Sequence, residues 1–104
     1  MTKITKLFVD DLRWPVDDTW TIVRTYWDAV DHLEREGVPD IISFDHDLGE
    51  DQDGTVLPTG YDFVKEMVRG DMDGDWKIPE HFSFTVHSAN PVGKKNIECY
   101  LNNY

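Results

Sequence analysis

Three clusters of polar residues close apolar stretches of this chain: Asp10-Asp11, Asp45-His46-Asp47 and His87-Ser88, with Asn90 just beyond. Asp10, Asp11 and Asp45 are hard oxygen donors suited to Mg²⁺ or Mn²⁺, and a cation would offset the repulsion of adjacent carboxylates. Without a cation, one of these carboxyls should be partly protonated. Histidine has an unperturbed pKa of ~6.5 and can take or give a proton near neutrality, so His46 and His87 are candidates for base and acid. Ser88, Asn90 and the segment from Pro91 offer hydroxyl, amide and backbone N–H groups to an anion, and Arg13, Lys94 and Lys95 offer positive charge.

Each residue also has a plainer use. Asp10 and Asp11 could be turn residues bonded to their own backbone, and Asp47 either joins the metal ligands or caps its loop. Asp45 has less freedom, because a carboxylate at the end of a buried strand is costly without a partner. If the strand continues through it, His46 points to the face opposite Asp45 and is as fit for a structural hydrogen bond as for catalysis; His87 stands in the same relation to Ser88. Asn90 is at least a helix cap. His32 and His81 read as surface or packing residues, and Cys99 as core. Trp14, Trp20, Trp27 and Trp76 could stack on a base, with Trp14 best placed directly after the acidic pair.

The elements that must position these residues alternate. Lys6 to Leu12 begins apolar and ends at carboxylates, and Pro15 then breaks any regular element. Trp20 to Arg24 is a second β-branched run. Thr25 opens T-x-x-D, and Tyr26, Ala29, Val30 and Leu33 recur at helical spacing up to Gly37. IISF, Ile41 to Phe44, is a continuous run of the kind buried in a parallel sheet. Thr59 and Asp62 repeat the helix start, Phe63, Val64, Met67 and Val68 form an apolar face, and Gly70 is the expected stop. Phe82 to Val86 is the last strand. Asn90-Pro91 starts a final helix with Ile97, Tyr100, Leu101 and Tyr104 on one face. The order β-β-α-β-α-β-α predicts an α/β fold, a small three-layer sandwich of about four mostly parallel strands. No helix separates the first two strands, so their relative direction is open. In such a sheet the carboxyl ends of the strands form the ligand crevice, where the polar clusters would meet.

Composition narrows the class. The 104 residues suit a single domain, with 39% hydrophobic and 12% aromatic residues. Twenty-one acidic against ten basic residues give a net charge of −11, which opposes broad nucleic-acid binding. The acids are a solvated surface or a polyanion mimic for a basic partner. One cysteine excludes an intramolecular disulfide, no apolar run approaches the ~20 residues of a membrane span, and MTKITKLFVDD is too short and acidic for a signal sequence. A reducing cytoplasm is the expected location. Asp71, Asp73 and Asp75 imitate a calcium loop, but Gly74 and Phe82 fall at the wrong positions for one.

FVDDLR, ISFDHDLG, TGYDFV and VHSANPVG together resemble the cyclic-phosphate processing receiver family, from about Lys6 to Leu101. The resemblance implies a receiver- or flavodoxin-like fold, with Asp10 and Asp11 matching the acidic metal-binding pair, Asp45 the phosphate-accepting aspartate and Ser88-Ala89 the Thr/Ser-Ala pair. A signalling receiver also carries a lysine at the end of its fifth strand. The sequence ends before a fifth strand, so the resemblance implies a scaffold turned from phosphorelay to cyclic-phosphate hydrolysis.

Such a reaction needs an activated nucleophile, an acid for the leaving alkoxide and positive charge on the phosphoryl oxygens. The expected site is therefore Asp45, His46, His87 and Ser88 as catalytic residues, Arg13, Asn90 and Lys94 on substrate, and Asp10, Asp11, Asp45 and Asp47 on Mg²⁺ or Mn²⁺. The expected activity is a metal-assisted phosphoesterase acting on a small cyclic phosphate, nucleotide or RNA-repair-derived. The alternatives are a non-catalytic module that holds a phosphorylated ligand or protein, and an acidic decoy. Oligomeric state is not legible.

Overall fold

The structure, a computed structural model, describes residues 4–104. Met1–Lys3, the start of the segment too short for a signal sequence, lie outside the described residues. Four strands, β1 (Lys6–Val9), β2 (Thr21–Val23), β3 (Ile41–Phe44) and β4 (Ser83–Val86), pair in the order β2-β1-β3-β4, all parallel. The direction left open for β2 is therefore parallel to β1. Three helices complete the chain: α1 (Tyr26–Glu36), α2 (Gly60–Asp73) and α3 (Pro91–Asn102).

Local chemistry sets the helix ends. The Thr25 side chain accepts from the Asp28 amide, and Thr59 and Asp62 form a reciprocal capping box. Asn90 caps α3 by accepting from the Gly93 amide, with Pro91 in the first turn, where its missing N–H costs nothing. α1 stops at Gly37, as its sequence predicts. α2 does not stop at Gly70. It runs to Asp73 and closes on Gly74, whose φ of 83° is the left-handed conformation glycine tolerates. Gly70 serves a close approach instead: a Cβ there would lie 2.2 Å from the Trp76 ring, whose Nε1 donates to the Met67 carbonyl.

The strand pairing puts Leu7, Val9, Val23, Ile42, Phe44 and Val86 on one face, where they pack with Ala29 and Leu33 of α1, Phe63, Val64 and Met67 of α2, and Ile97 of α3. The connections explain why all three helices share this face. β2 to β3 and β3 to β4 both advance in the same direction across the sheet, and right-handed crossovers then place their helices on the same side. Only the β1–β2 connection runs the other way, and it contains no helix. The expected three layers thus reduce to a sheet and one helical layer. On the second face, Phe8 is covered by Trp20, edge-on at 6.0 Å, and by the His87 ring.

Two further expectations change with the packing. Cys99 is exposed beside the α2–α3 groove, not in the core. Tyr104 lies beyond the end of α3, exposed, with its hydroxyl on Asp71.

Candidate functional site

The winding reverses between β1 and β3, the switch point at which wound sheets hold ligands. Asp10 and Asp45 end these two neighbouring strands, and His87 ends β4 beside β3. Because side chains alternate and parallel neighbours stay in register, all three lean to the face away from the helices. One ligand atom from each lies within 4.8 Å of the others, and Asp10 and Asp45 are buried.

Asp10 organises the turn that comes after it. Its Oδ1 accepts from the Leu12 and Arg13 amides, both at 2.9 Å, and its Oδ2 lies 2.8 Å from His87 Nε2. Burial opposes its charge, but the Arg13 and Leu12 amides and His87 together hold its carboxyl below the usual range. The turn is tied down by Arg24, whose Nη1 donates to the carbonyls of Asp10 (3.1 Å) and Arg13 (2.6 Å). Asp10 thus serves both as a turn residue and as a potential ligand: one oxygen builds the turn and the other faces the cluster.

Asp45 shows the opposite balance. Burial and then the charge of Asp10 push its carboxyl above the ordinary value, and Ser88 and His87 offset this only in part. Two neighbouring carboxylates thus differ in character, because one has backbone donors and the other lacks enough of them.

His87 lies flat on Phe8, with ring centroids 4.6 Å apart and planes 5° from parallel. Its Nδ1 is 2.7 Å from the Ser43 hydroxyl, which in turn accepts from Thr85 at 3.0 Å. With Thr85 donating to Ser43, the Ser43 proton points at Nδ1 and Nε2–H points at Asp10. That assigns the tautomer of a neutral ring by its partners.

A shallow cleft of about 310 Å³ opens over this cluster, lined by Asp10, Asp11, Leu12, Arg13, Asp45, Asp47, Gly49 and Ala89. Asp11 faces Gly49, where a Cβ would lie 3.2 Å from its Oδ2. Asp47 is exposed, 2.9 Å from His46 Nδ1. Arg13 donates from Nη1 to the His87 carbonyl at 2.8 Å, which holds its guanidinium at the rim. Asn90 is committed to capping through its oxygen, while its amide nitrogen is 3.5 Å from both Asp47 oxygens. Lys94 is exposed on α3 and is not among the residues lining the cleft.

His46 is not brought into the cluster. Its ring turns to the helical side and wedges against α3, where a Cβ at Gly93 would lie 2.3 Å from it. Gly60 makes a similar close approach: its amide donates to the His46 carbonyl at 2.7 Å, and a Cβ would sit 1.9 Å from the Asp45 carbonyl oxygen. Glycines in the first turns of α2 and α3 thus let the helices reach the strand end that presents Asp45. Ser43, Thr85 and Arg24 were missed by sequence reasoning. The available signal was a single hydroxyl inside the otherwise apolar run IISF.

The calcium-like loop is occupied by its own chain. Asp73 and Asp75 pair with Arg69, and Asp71 accepts from the Ile78 amide and the Tyr104 hydroxyl.

The family described as cyclic-phosphate processing receiver domain matches residues 5–103, nearly the whole chain and every residue of the cluster. The chain belongs to this family. No curated protein and no solved structure matches it. Among the described residues, no helix of this receiver domain is long and apolar enough to cross a membrane. The family is thus one related to cyclic-phosphate processing, and Asp10, Asp45 and His87 are a group that could hold a cation.

Proposed function

We propose that this receiver domain is a metal-assisted phosphoesterase that hydrolyses a small cyclic phosphate over the Asp10–Asp45–His87 cluster. The observation that carries the reading is the convergence of two buried carboxylates that line a cleft, one of them held above its ordinary pKa, with a histidine nitrogen within 4.8 Å of both. A divalent cation fits this donor set: two carboxylate oxygens suit Mg²⁺ or Mn²⁺, and an imidazole nitrogen favours Mn²⁺. Asp11 and Asp47, on the same cleft, are available to complete the ligands directly or through water. When bound, the cation would neutralise phosphoryl charge and make the ester phosphorus more electrophilic.

The chain's own groups would do the rest. Arg13, with one N–H on the His87 carbonyl, keeps further donors for the phosphoryl oxygens. Ser88, whose hydroxyl bonds the Asp45 carboxyl, and the start of α3 flank Ala89 of the cleft lining and would add polar groups beside the phosphate. With Ser43 bonded to Nδ1, His87 could carry a proton on Nε2 for the leaving alkoxide; in the other tautomer, with Nδ1–H donating to the Ser43 hydroxyl, a bare Nε2 could face the cation. His46 acts as a positioning residue that sets the loop carrying Asp47.

The test is ³¹P NMR of cyclic nucleotides, an RNA end bearing a 2′,3′-cyclic phosphate and base-free cyclic phosphates, with Mg²⁺, Mn²⁺ or chelator. Cation-dependent conversion to a monoester, lost in Asp45→Asn and His87→Ala with their circular dichroism unchanged, is the expected result. Full activity in both variants would remove the cluster from the mechanism. The occupation of both His87 ring nitrogens favours one second reading, a module that binds the phosphate without turnover. Recovery of unchanged ligand from a tight complex after long incubation with cation would select it.

A further inference from the structure

We propose that Trp14 is a stacking platform for a nucleobase, so that the ligand of the cleft is a nucleoside cyclic phosphate and not a base-free ester. This rests on the phosphate-binding reading of the cleft and names its ligand class. Trp14 is 76% exposed, an unusual position for the largest apolar side chain. It is nevertheless held: the Arg24 guanidinium lies 4.7 Å from its ring centroid on one side, and Arg24 is anchored to the Asp10 and Arg13 carbonyls. A ring fixed by a cation on one face presents the other to solvent in a defined orientation.

The same turn carries the phosphate side of the site. Asp10 accepts from the Leu12 and Arg13 amides, Leu12 and Arg13 line the cleft, and Trp14 is the next residue. Leu12 is itself 77% exposed, an apolar step between the carboxylates and the indole. Trp14 directly follows Arg13 of the cleft lining, about 3.8 Å away between Cα atoms, so a base carried on the ribose of a bound phosphate has an indole next to it in the chain. Charge points the same way. At −11 the protein cannot draw in a polyanion by long-range attraction, so affinity for a phosphate ester must come from short-range contacts. Base–aromatic stacking is such a contact, and it is tolerant of base identity.

The experiment compares kcat and KM, with Mn²⁺ present, for adenosine and uridine 2′,3′-cyclic phosphates, a short RNA ending in the same group, and base-free glycerol 1,2-cyclic phosphate. Proteins are wild type, Trp14→Ala and Trp14→Phe. Binding of the nucleotides is followed in parallel by tryptophan fluorescence with Ca²⁺ or chelator in place of Mn²⁺. The expected result is a kcat/KM preference for nucleotides over the base-free ester that falls roughly 5- to 150-fold in Trp14→Ala, mainly through KM, and is largely restored in Trp14→Phe. A mononucleotide as good as the RNA points to a free nucleotide as the ligand; a better RNA points to an RNA end. Equal losses on all substrates would assign Trp14 to loop stability and overturn the proposal, as would an undiminished nucleotide preference in Trp14→Ala. If nothing is turned over, Trp14-dependent quenching by nucleotide upholds stacking while the phosphoesterase reading fails. Absence of both turnover and quenching overturns stacking as well.

Discussion

Asp45→Asn should stabilise the cation-free protein, although it removes the residue best placed for chemistry. Asp10 and Asp45 offer oxygens within 4.8 Å of each other and both are buried. Two unit charges at that separation repel by about 3–4 kcal/mol at an effective dielectric of ~20 and by about 1 kcal/mol in bulk water. Asparagine keeps the shape, removes this repulsion and presents an amide to the Asp10 carboxylate. Some attraction to His87 and the contact with Ser88 are lost. A net gain of about 1–2 kcal/mol is expected, which for a domain of this size raises Tm by roughly 4–12 °C. The assay is thermal and urea unfolding in chelator at neutral pH, followed by circular dichroism.

The pH dependence gives a second handle on the same pair. Asp45 has its folded pKa raised, so its contribution to stability is present at low pH and lost as pH rises through that pKa. Asp10 has its folded pKa depressed, and its contribution is lost only as pH falls through that lower value. The advantage of Asp45→Asn over wild type should therefore shrink as the buffer is acidified through the Asp45 titration. Mn²⁺ should close it from the other side, since wild type gains about 2.7 kcal/mol at a hundred times its Kd and the variant gains less. A variant less stable than wild type in chelator, or a gap indifferent to pH and to Mn²⁺, would refute the electrostatic account.

Ser43→Ala should lower kcat/KM by ~10-fold or more and shift its pH profile, since His87 Nδ1 loses the hydroxyl that fixes the ring; a normal profile would count against that role. Gly60→Ala should cost about 3 kcal/mol in urea unfolding, because the added carbon meets the Asp45 carbonyl and only backbone can yield. Gly37→Ala meets no atom within 4 Å, but at φ 80° and ψ −177° it occupies a region open essentially to glycine alone and should cost about 1–3 kcal/mol. Thr59→Ala removes half of a capping box and should cost about 1 kcal/mol while leaving the cleft intact.

The resemblance named from four short motifs is the family that matches residues 5–103. The element order and three helix starts were legible because their causes are local: Thr25, Thr59 and Asn90 each bond an amide within three residues. Meeting of Asp10 and Asp45 was legible too, since strand ends of a wound sheet converge whatever the details. His46 was expected among the catalytic residues although period-two alternation set it opposite Asp45, and its ring lies against Gly93 on the helical side. The α2 stop was misread because a glycine can serve chain reversal or close packing, and only the position of Trp76 distinguishes the two at Gly70. Cys99 was misplaced because α2 and α3 do not close over it: it lies exposed at the groove between them.

Residue types and short spacings by themselves determined the α/β class, the helix caps and the polar strand ends. Tertiary structure alone decided that β2 runs parallel to β1, that every helix lies on one face, and that His87 bridges Ser43 and Asp10 on the other. Caps and alternation arise from bonds within a few residues. The strand order, and with it which histidine meets which carboxylate, arises from pairing between segments up to 77 residues apart, as for His87 and Asp10, and no local pattern encodes that choice.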